Sequence, residues 1–319
     1  MNYKFKTKPY AHQLKALEMS WDKEVFALFM EMGTGKSKVL IDNVSMLYDK
    51  GKINGVVIVA PKGVYKNWHE SEIPIHMANH VEYVSTLWQS NINKKQEKEL
   101  SKLFKTGHEL HILIVNVEAL STKKGVDFVT RFINCHETLM VIDESTTIKN
   151  PEAKRTKNIC KLGRLTKYRR ILTGAPVTKS PLDLFKQCEF LDPWLLGHQS
   201  YYGFRTRYAI MKTANFGGRS VQIVVGYRNI PELSEKADKI SNIAIPEIMS
   251  ALKMKTMKLA DGSAIEVKEI YSATIPLNKK EGAFNWLREH GLGDLIKNEV
   301  TVSFGRNEDN KASQYAVLA

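Results

Sequence analysis

Residues Val25–Ser37, VFALFMEMGTGKS, determine the fold of this chain. The stretch begins with an apolar run, Val25–Met30, whose length and composition predict a buried strand. A turn with two glycines follows, then a Lys-Ser pair, and then a helical pattern that runs from Ser37 to Asp49. A strand, a glycine loop, a Lys-Ser pair and a helix form the arrangement that a nucleoside triphosphate needs. We therefore predict a phosphate-binding loop at the end of this strand.

The residues of this loop have the chemistry that phosphate groups require. Glycines let backbone N–H groups approach the phosphates, and the helix N-terminus adds a favourable dipole. Lys36 can reach the β- and γ-phosphates, and the Ser37 hydroxyl can bind Mg²⁺. The general pattern has a glycine where this chain has Met30, so only its second half matches, and a chance glycine turn is the alternative. The predicted nucleotide contacts are Gly33, Thr34, Gly35, Lys36 and Ser37.

An acidic pair, Asp143-Glu144, ends a second apolar run, Thr138–Ile142. Carboxylates at the end of a buried strand are costly unless they are paired. In a phosphoryl-transfer site the first would hold Mg²⁺ through water, and the second would orient or deprotonate the attacking water. The alternative is an N-cap of the following helix. Because the glycine loop lies upstream by about one βαβαβ unit, we predict that Lys36, Asp143 and Glu144 are catalytic, and that Asp143 and Ser37 hold the metal.

Further apolar runs alternate with helical patterns along the first two thirds of the chain. Alternation of this kind predicts an α/β fold in which helices cover both faces of a mostly parallel sheet. The predicted strands are Val25–Met30, Gly55–Ala60, His111–Val115, Thr138–Ile142 and Arg170–Thr173, and the predicted helices are Ala11–Trp21, Ser37–Asp49, Val64–Ile75, Asn93–Thr106 and Thr156–Lys161.

The pattern changes after Pro193. A loop is predicted at Ala214–Ser220 and a strand at Val221–Val225, and we place a domain boundary between residues 237 and 238. Residues 238–319 predict a small α+β unit of unknown role. Its expected elements are a helix at Ile245–Leu252, a hairpin around the Asp261-Gly262 turn, a helix at Lys279–His290, a strand at Glu299–Phe304 and a helix at Lys311–Ala319.

Charge is distributed unevenly between the two parts of the chain. The chain has 47 basic and 34 acidic side chains and a net charge of +13. The last 86 residues contain 12 of each, so residues 1–233 carry the whole excess. A basic globular unit is consistent with binding to a polyanion. A positive surplus that serves only solubility is the alternative.

Composition excludes several classes of protein. With 43% hydrophobic and 25% charged residues, the chain is globular and not intrinsically disordered. No run of about 18 uncharged apolar residues occurs, so we expect no membrane span. The start, MNYKFKTKPY, lacks an apolar signal-peptide core. Three widely spaced cysteines, Cys135, Cys160 and Cys188, form neither a disulfide framework nor a zinc site. We expect a cytoplasmic protein.

Five stretches occur in an order that resembles the first RecA-like lobe of superfamily-two helicase-like ATPases, specifically the Swi/Snf-type DNA translocases in a compact phage- or bacteria-like form. They are Tyr10–Gln13 (YAHQ), Met32–Ser37 (MGTGKS), Val59–Trp68 (VAPKGVYKNW), Asp143–Pro151 (DESTTIKNP) and Leu172–Phe185 (LTGAPVTKSPLDLF). Two later stretches, Tyr202–Tyr208 and Val225–Leu233, are similar to the end of that lobe. The resemblance covers residues 5–237 and implies a RecA-like P-loop NTPase lobe.

The resemblance implies roles for residues that the phosphate-site chemistry does not assign. The cofactors would be ATP and Mg²⁺, with Gln13 reading adenine. The partner would be DNA, as a duplex contacted through its backbone by Lys62, Lys66, Asn67 and Trp68. For Trp68 alone, a packed core aromatic is the alternative. Arg205 and Arg207 either contact DNA or brace the lobe. Thr173, Gly174 and Ala175 would couple the state of ATP to the nucleic acid.

This chain also departs from the family pattern. Ser145-Thr146-Thr147 follows the acidic pair where the family has His-Arg or a similar pair, and Ala175 replaces a threonine. No second-lobe motif is recognisable after Leu233, so we expect weak ATP hydrolysis unless a second lobe or partner protein acts in trans. The leading hypothesis is a DNA-dependent ATPase or translocase, which in a phage would work in the cytoplasm of the bacterial host. The alternative is a non-catalytic nucleotide- and DNA-binding module whose C-terminal unit docks a partner.

Overall fold

The structure is a computed structural model. It describes residues 3–105, 107–216 and 219–238, and in the C-terminal part residues 254–258, 264–268, 275–276, 302–305 and 315–318. The chain separates into two compact units, residues 1–252 and residues 253–319. Among the described residues, no helix has both the length and the apolar composition that crossing a membrane requires.

A six-stranded sheet forms the centre of the first unit, and all of its strand pairs are parallel. The strands lie in the order β1-β6-β5-β2-β4-β3. Their bounds are Val25–Phe29 for β1, Gly55–Ala60 for β2, Tyr83–Trp88 for β3, Leu110–Asn116 for β4, Thr138–Asp143 for β5 and Tyr168–Thr173 for β6. The structure thus confirms the predicted α/β class and its parallel sheet.

Helices connect the strands. The α-helices are α1 (Ala11–Ser20), α2 (Lys36–Asp49), α3 (Tyr65–Asn67), α4 (Ile73–His76), α5 (Lys94–Lys102), α6 (Lys123–Cys135), α7 (Lys154–Gly163), α8 (Leu184–Leu191), α9 (Tyr201–Tyr208) and α10 (Ile230–Asp238). A π-helical turn, Trp68–Glu72, joins α3 to α4, and short 3₁₀ segments occupy Val117–Ser121, Ser145–Ile148 and Pro181–Asp183. An antiparallel hairpin of β7 (Ala209–Phe216) and β8 (Arg219–Tyr227) precedes α10.

Burial explains why the central strands are recognisable in the sequence. Every residue of β2 is buried, and β4 and β5 are buried along all but their last residue. A strand that is covered on both faces gains from apolar side chains at every position, so it appears as an unbroken hydrophobic run. All five strands predicted in this sheet are confirmed, each to within two residues at its ends.

The charged side chain of Arg170 is fully buried in this core. The guanidinium group of Arg170, in β6, donates to Oδ1 of Asn43 at 3.0 Å and to the backbone carbonyl oxygens of Ser20, Lys23 and Glu24 at 2.9, 2.7 and 3.1 Å. Burial lowers the pKa of Arg170 to about 9. This side chain therefore ties the C-terminal end of α1 to the sheet and to α2.

Two local predictions differ from the structure. The helix predicted at Val64–Ile75 is divided by the π-helical turn, and the loop predicted at Ala214–Ser220 is largely strand, since β7 continues to Phe216 and β8 begins at Arg219. The sequence patterns did not reveal the strands β3 and β7 or the helices α6, α8, α9 and α10. β3 is an edge strand whose side chains are mostly half-buried, so its apolar pattern is weak.

The described part of the second unit consists of short antiparallel strands. β9 (Met254–Lys258) pairs with β10 (Ala264–Lys268), which confirms the predicted hairpin. β11 (Ile275–Pro276), β12 (Val302–Gly305) and β13 (Tyr315–Leu318) form a three-stranded sheet. The helix predicted at Lys311–Ala319 is wrong, because β13 lies there. The helices predicted at Ile245–Leu252 and Lys279–His290, and the turn at Asp261-Gly262, lie outside the described residues.

Candidate functional site

The three strands that carry the predicted phosphate and acidic motifs are neighbours in the sheet, in the order β1-β6-β5. In the parallel register Leu28 lies beside Leu172, and Leu172 lies beside Asp143. The carboxyl ends of parallel strands meet at one edge of a sheet, where ligands of open α/β folds bind. The loops that follow these three strands are therefore adjacent, although the loop after β1 lies more than a hundred positions before the other two in the sequence.

The loop after β1 has the backbone shape of a phosphate cradle. Gly33 and Gly35 have φ angles of 79° and 84°, in the left-handed region that favours glycine. α2 begins directly afterwards at Lys36. The Lys36 ammonium group donates to the carbonyl oxygens of Met30 at 3.0 Å and Glu31 at 3.1 Å. The loop thus holds the lysine side chain through two of its backbone carbonyl oxygens.

The N-terminal end of α1 contacts this loop from outside. Nε2 of Gln13 donates to the carbonyl oxygen of Thr34 at 2.9 Å, and Oε1 of Gln13 accepts from the backbone N–H of Tyr10 at 3.0 Å. Nε2 of His12 lies 2.9 Å from the same Thr34 oxygen. The structure therefore brings the predicted Gln13 to the predicted phosphate loop.

Asp143 is the last residue of β5 and is held by two donors. Oδ2 accepts from the indole N–H of Trp68 at 2.9 Å, and Oδ1 accepts from the backbone N–H of Glu144 at 3.0 Å. Burial raises the pKa of Asp143, and the charge of Glu144 raises it further, while the Trp68 hydrogen bond and the charge of Lys36 lower it. The interaction with Lys36 shows that the phosphate loop and the acidic pair lie in one electrostatic environment.

Glu144 adopts a left-handed backbone conformation, with φ 48° and ψ 62°. A non-glycine residue in this region is uncommon, and such strained residues cluster at active sites and switch regions. Glu144 stands at the N-cap position of the 3₁₀ segment Ser145–Ile148, but its side chain makes no capping hydrogen bond. Its carboxylate instead accepts from Oγ1 of Thr173 at 3.4 Å. The N-cap alternative therefore does not account for this side chain.

Thr173, Gly174 and Ala175 lie between the acidic pair and the phosphate loop. Oγ1 of Thr173 accepts from the backbone N–H of Ala175 at 3.2 Å, and the Thr173 carbonyl oxygen accepts from Met30 N–H at 3.2 Å. A Cβ atom on Gly174 would lie 3.4 Å from backbone atoms of Met30 and Met32. The predicted coupling motif thus touches both halves of the site.

A cleft of about 420 Å³ opens between these three loops. It is lined by residues of the phosphate loop, the acidic motif and the coupling motif, namely Glu31, Met32, Glu144, Thr146, Thr173, Gly174, Ala175 and Thr178. One crevice therefore contacts all three motifs.

Sequence analysis missed the hydrogen bonds that hold the acidic and coupling motifs together. Ser145, fully buried, donates to Oε1 of Gln187 at 2.6 Å, and Nε2 of Gln187 donates to the carbonyl oxygen of Pro176 at 2.7 Å. Lys149 contacts the Thr178 hydroxyl and lies 3.6 Å from the Asp183 carboxylate. Ser145, at the position where the chain departs from the family pattern, is thus a brace between the two motifs.

The residues predicted to contact nucleic acid do not share one environment. Lys62, Lys66 and Asn67 are exposed in the segment that follows β2. Lys62 and Lys66 form no ion pair within the described part of the chain, whereas Asn67 donates to Glu72 at 3.1 Å. Trp68 is 2% exposed. The prediction that Trp68 contacts nucleic acid is therefore wrong, and the packed-aromatic alternative is right.

The structure also distinguishes the two arginines of α9. Arg207 forms an ion pair with Glu232 of α10 at 2.5 Å, so it braces the end of the unit. The Arg205 guanidinium lies over the ring of Tyr202, 5.2 Å from its centroid.

The donor set fits Mg²⁺ bound together with phosphate groups. The described residues contain no group of three or more histidine, cysteine, aspartate or glutamate side chains that could hold a metal ion by themselves. Mg²⁺ in phosphate-binding sites uses one or two carboxylates and takes its remaining oxygen ligands from phosphates and water. Asp143, with a hydroxyl from Ser37 at the start of α2, supplies ligands of this kind.

Comparison with known proteins gives two family matches. A model described as SNF2-related domain matches residues 12–258, which is more than half of the chain, and a model described as Pam3 gp33-like protein matches residues 228–303. The chain is 24% identical over 238 residues to SNF2 domain-containing protein ENL1 of Oryza sativa subsp. japonica, an alignment that covers 71% of this chain and 23% of that protein. It is 23% identical over 295 residues to Protein CHROMATIN REMODELING 24 of Arabidopsis thaliana, covering 89% of this chain and 25% of the relative.

A solved structure also matches. The Sulfolobus solfataricus SWI2/SNF2 ATPase core in complex with dsDNA is similar with a TM-score of 0.51 and 25% sequence identity, over 65% of this chain and 40% of that chain. The chain therefore spans about a quarter of the length of the two curated relatives and less than half of the solved core.

Proposed function

This chain belongs to the SNF2-related domain family, and from that premise we propose that it binds ATP with Mg²⁺ and acts as a DNA-dependent ATPase or translocase of the helicase-like Swi/Snf type. In this proposal residues 1–237 form the RecA-like ATP-binding lobe. The observation that supports it most directly is the cleft shared by the phosphate loop, Glu144 and Thr173.

The loop after β1 and the start of α2 would bind the phosphates. The backbone N–H groups near Gly33, Thr34 and Gly35 would contact phosphate oxygens, and the dipole of the 14-residue helix α2 favours their negative charge. Lys36, now bonded to two loop carbonyls, would move its ammonium group onto the terminal phosphates. Bound Mg²⁺ would neutralise phosphate charge, and Ser37 and Asp143 are the residues that would hold it.

Glu144 is the residue that we assign to the attacking water. Its carboxylate faces the cleft, and one oxygen accepts from Thr173. The left-handed backbone of Glu144 turns the chain directly after Asp143. The two carboxylates therefore point in different directions: Asp143 points toward Trp68 and would hold the metal, whereas Glu144 lines the cleft. A carboxylate that is fixed by a hydroxyl can orient water and accept its proton.

DNA would bind at the exposed segment after β2. The side chains of Lys62 and Lys66 are exposed. Residues 1–233 carry the net positive charge of the whole chain. The solved core that resembles this chain is in complex with dsDNA. We infer that Lys62, Lys66 and Asn67 contact the phosphate backbone of duplex DNA, which carries no base information.

We assign the coupling of DNA binding to ATP hydrolysis to Thr173, Gly174 and Ala175. Thr173 bonds to Glu144 through its side chain and to the phosphate-loop residue Met30 through its backbone. A displacement of this motif therefore changes the position of Glu144 relative to the phosphates.

Hydrolysis by residues 1–319 alone would be slow. No arginine is among the described residues that line the cleft. An arginine that stabilises the transition state contributes about 10³–10⁵ in rate in related phosphoryl-transfer sites. A second lobe or a partner protein in trans would supply it. The match of residues 228–303 to a Pam3 gp33-like family supports a phage origin, and with it action in the cytoplasm of a bacterial host.

The decisive experiment compares phosphate release by the wild-type chain, Glu144→Gln and Lys36→Ala, with and without duplex DNA. We expect DNA-stimulated release from the wild type, loss of release with retained ATP binding in Glu144→Gln, and loss of ATP binding in Lys36→Ala. Lys50→Ala, an exposed lysine at the far end of α2, is the matched control and should behave as wild type.

Two other outcomes would contradict the proposal. If ATP and DNA bind but Glu144→Gln releases phosphate as fast as the wild type, the chain is a non-catalytic nucleotide- and DNA-binding module whose C-terminal unit would dock a partner. If Lys36→Ala binds ATP with unchanged affinity, the phosphate-loop assignment is wrong.

A further inference from the structure

The side-chain amide of Gln187 is bonded to the protein at both ends. Gln187 lies in α8 and is fully buried. Its Nε2 donates to the carbonyl oxygens of Pro176 at 2.7 Å and Asp183 at 2.9 Å, and its Oε1 accepts from the Ser145 hydroxyl at 2.6 Å. A glutamine amide has one oxygen and two N–H donors, and carbonyl oxygens can pair only with the donors. The amide is therefore fixed in one orientation between the acidic motif and the coupling motif.

Glu144 needs a fixed neighbour because its backbone is strained. A left-handed conformation at a non-glycine residue costs free energy and persists only where the surrounding structure holds it. On one side of Glu144, the pairing of β5 with β6 fixes Asp143. On the other side, Ser145 is fully buried and bonded to Gln187. The bond to Gln187 thus holds the chain at the residue directly after Glu144.

The carboxylate of Glu144 is held less firmly by its own hydrogen bond. Its oxygen lies 3.4 Å from Oγ1 of Thr173, beyond the roughly 2.5–3.0 Å that is usual for a hydroxyl donor and an oxygen acceptor. The direction of this carboxylate therefore depends mainly on the backbone that carries it. Gln187 is not among the described residues that line the cleft. It can influence the cleft only through the segments to which it is bonded.

The same helix also holds the wall of the cleft that contains the coupling motif. Gln187 binds the carbonyl oxygen of Pro176, which directly follows that motif. The carboxylate of Asp183, at the N-cap position of α8, accepts from the backbone N–H groups of Thr178 and Lys179 at 3.1 and 3.0 Å. α8 therefore fixes the segment after the coupling motif at several points, and through Gln187 it fixes the acidic motif as well.

Resting on the proposed function, we propose that Gln187 is a positioning residue for ATP hydrolysis, which holds the Glu144 carboxylate at the attacking water through its bond to Ser145. Gln187 touches neither the nucleotide nor the water, so it acts only through other residues. Its loss slows the hydrolysis step and leaves ATP binding unchanged, because Lys36 and the phosphate loop belong to β1 and α2. Ser145 lies in the stretch where this chain departs from the family pattern, so the resemblance does not imply this role.

The experiment is single-turnover hydrolysis of Mg²⁺-loaded ATP with the full chain in excess and duplex DNA present. The dependence on protein concentration gives the rate at saturation and the concentration at half saturation, which reports ATP affinity. Ser145→Ala removes the donor, and Gln187→Met removes the amide at nearly constant volume. We expect both variants to lower the saturating rate about 10- to 100-fold, because a displacement of about 1 Å can cost a factor of about 100. The half-saturating concentration should stay within about twofold of the wild-type value.

A matched control separates this effect from the loss of a buried hydroxyl in general. Ser20 is also fully buried and donates to the carbonyl oxygen of Ala16 at 2.8 Å, within α1. Ser20→Ala should hydrolyse ATP at the wild-type rate. Denaturant unfolding identifies conditions in which each variant is fully folded, and the rates are compared there. If Gln187→Met does not unfold cooperatively, Ser145→Ala, the smaller change, decides the test.

A wild-type saturating rate in folded Ser145→Ala would overturn the inference and leave the bond a structural role only. Equal slowing in Ser145→Ala and Ser20→Ala would overturn it too, as would a loss of ATP affinity with an unchanged saturating rate. The proposed function would survive each of these results. Wild-type hydrolysis that persists in Glu144→Gln would instead contradict the proposed function, and this inference with it.

Discussion

The indole N–H of Trp68 donates a 2.9 Å hydrogen bond to Oδ2 of Asp143. The two residues are 75 positions apart, and they join two segments to which we assign different ligands. Lys66 and Asn67, immediately before Trp68, belong to the proposed DNA surface, and Asp143 is the proposed metal ligand. A buried side chain thus connects the proposed DNA surface to the proposed metal ligand through one hydrogen bond.

Replacing Trp68 with Phe preserves most of the packed volume and removes the donor. The Trp68 hydrogen bond lowers the pKa of Asp143, so its loss should raise that pKa further. In the proposed site Asp143 would hold Mg²⁺ only when it is ionised. We therefore expect Trp68→Phe to need more Mg²⁺ and to shift the acid limb of the pH–rate profile upward by about 1 pH unit, since a hydrogen bond to a charged group contributes about 1.5–3 kcal/mol.

The measurement is ATPase rate against Mg²⁺ concentration and against pH. Trp88→Phe is the control, because Trp88 is also buried, at 4% exposure, but lies at the far edge strand β3. Equal shifts in both variants would show that loss of packing, and not loss of the bond to Asp143, is responsible.

Removing Lys62 and Lys66 should weaken DNA binding and its salt dependence together. Each phosphate contact contributes a slope of about −0.9 to the dependence of log K on log salt. The double variant Lys62→Ala/Lys66→Ala should therefore lower the magnitude of the slope by about 2, with equal effect on duplexes of different sequence.

Fluorescence anisotropy over a salt series measures this slope. Lys52→Ala is the matched control, because Lys52 is exposed but precedes β2 and so lies at the opposite edge of the sheet. A loss of affinity with no change in slope would contradict backbone contact by these two lysines.

Lys38 and Asp42 form a buried ion pair on α2. The free energy of unfolding should fall strongly when one partner is removed and should change little when both are replaced by apolar residues. The two side chains lie 2.6 Å apart at 6% and 4% exposure. Asp42→Ala leaves an uncompensated buried ammonium group and should cost about 3–5 kcal/mol of unfolding free energy, whereas Lys38→Met/Asp42→Leu should be nearly neutral. Denaturant unfolding of the two variants checks this, and equal losses would show that the pair itself stabilises the fold.

The contribution of Asp42 to the free energy of unfolding should also depend on pH. Burial raises the pKa of Asp42 from 3.8 to about 6, although Lys38 lowers it. The folded carboxyl group therefore binds its proton more tightly than the unfolded one. Its contribution to stability is present below about pH 4 and is lost as the pH rises to about 6. The unfolding free energy of the wild type, minus that of the double variant, should fall over this interval, and a flat difference would argue against the raised pKa.

Arg170→Leu should strongly destabilise the first unit. The substitution removes the guanidinium donor from the carbonyl oxygens of Ser20, Lys23 and Glu24, and it leaves Oδ1 of the buried Asn43 without this donor. Loss of one member of such a buried network costs about 3–5 kcal/mol. Arg164→Leu is the control, since Arg164 is 55% exposed and pairs with Glu189 on the surface, where an ion pair contributes at most about 1 kcal/mol. Similar melting temperatures for the two variants would contradict the structural role of Arg170.

Local patterns predicted five of the six strands of the parallel sheet and the loop after β1, because the central strands are buried on both faces and the loop uses local chemistry. Val25–Ser37 alone contains the strand, the two glycines and the lysine in one contiguous stretch. β3 was not predicted, because an edge strand is less completely buried and its apolar pattern is therefore weaker. The helix predicted at Lys311–Ala319 is a strand, since its formation depends on pairing with β12 rather than on local propensity.

Within the proposed site, the sequence by itself determined the residues to which we assign phosphate and acid chemistry, because glycine, lysine, serine and carboxylate groups have few substitutes in those roles. Tertiary structure alone decided that Trp68 is a buried donor to Asp143, that Ser145 binds Gln187 and that Gln13 is bonded to the backbone at both ends. These contacts join residues 3 to 75 positions apart, and even the shortest depends on the backbone conformation of the helix start and the loop beside it. A one-dimensional pattern records the type of each side chain but not the direction in which it points, and direction is set only when the sheet and its helices pack.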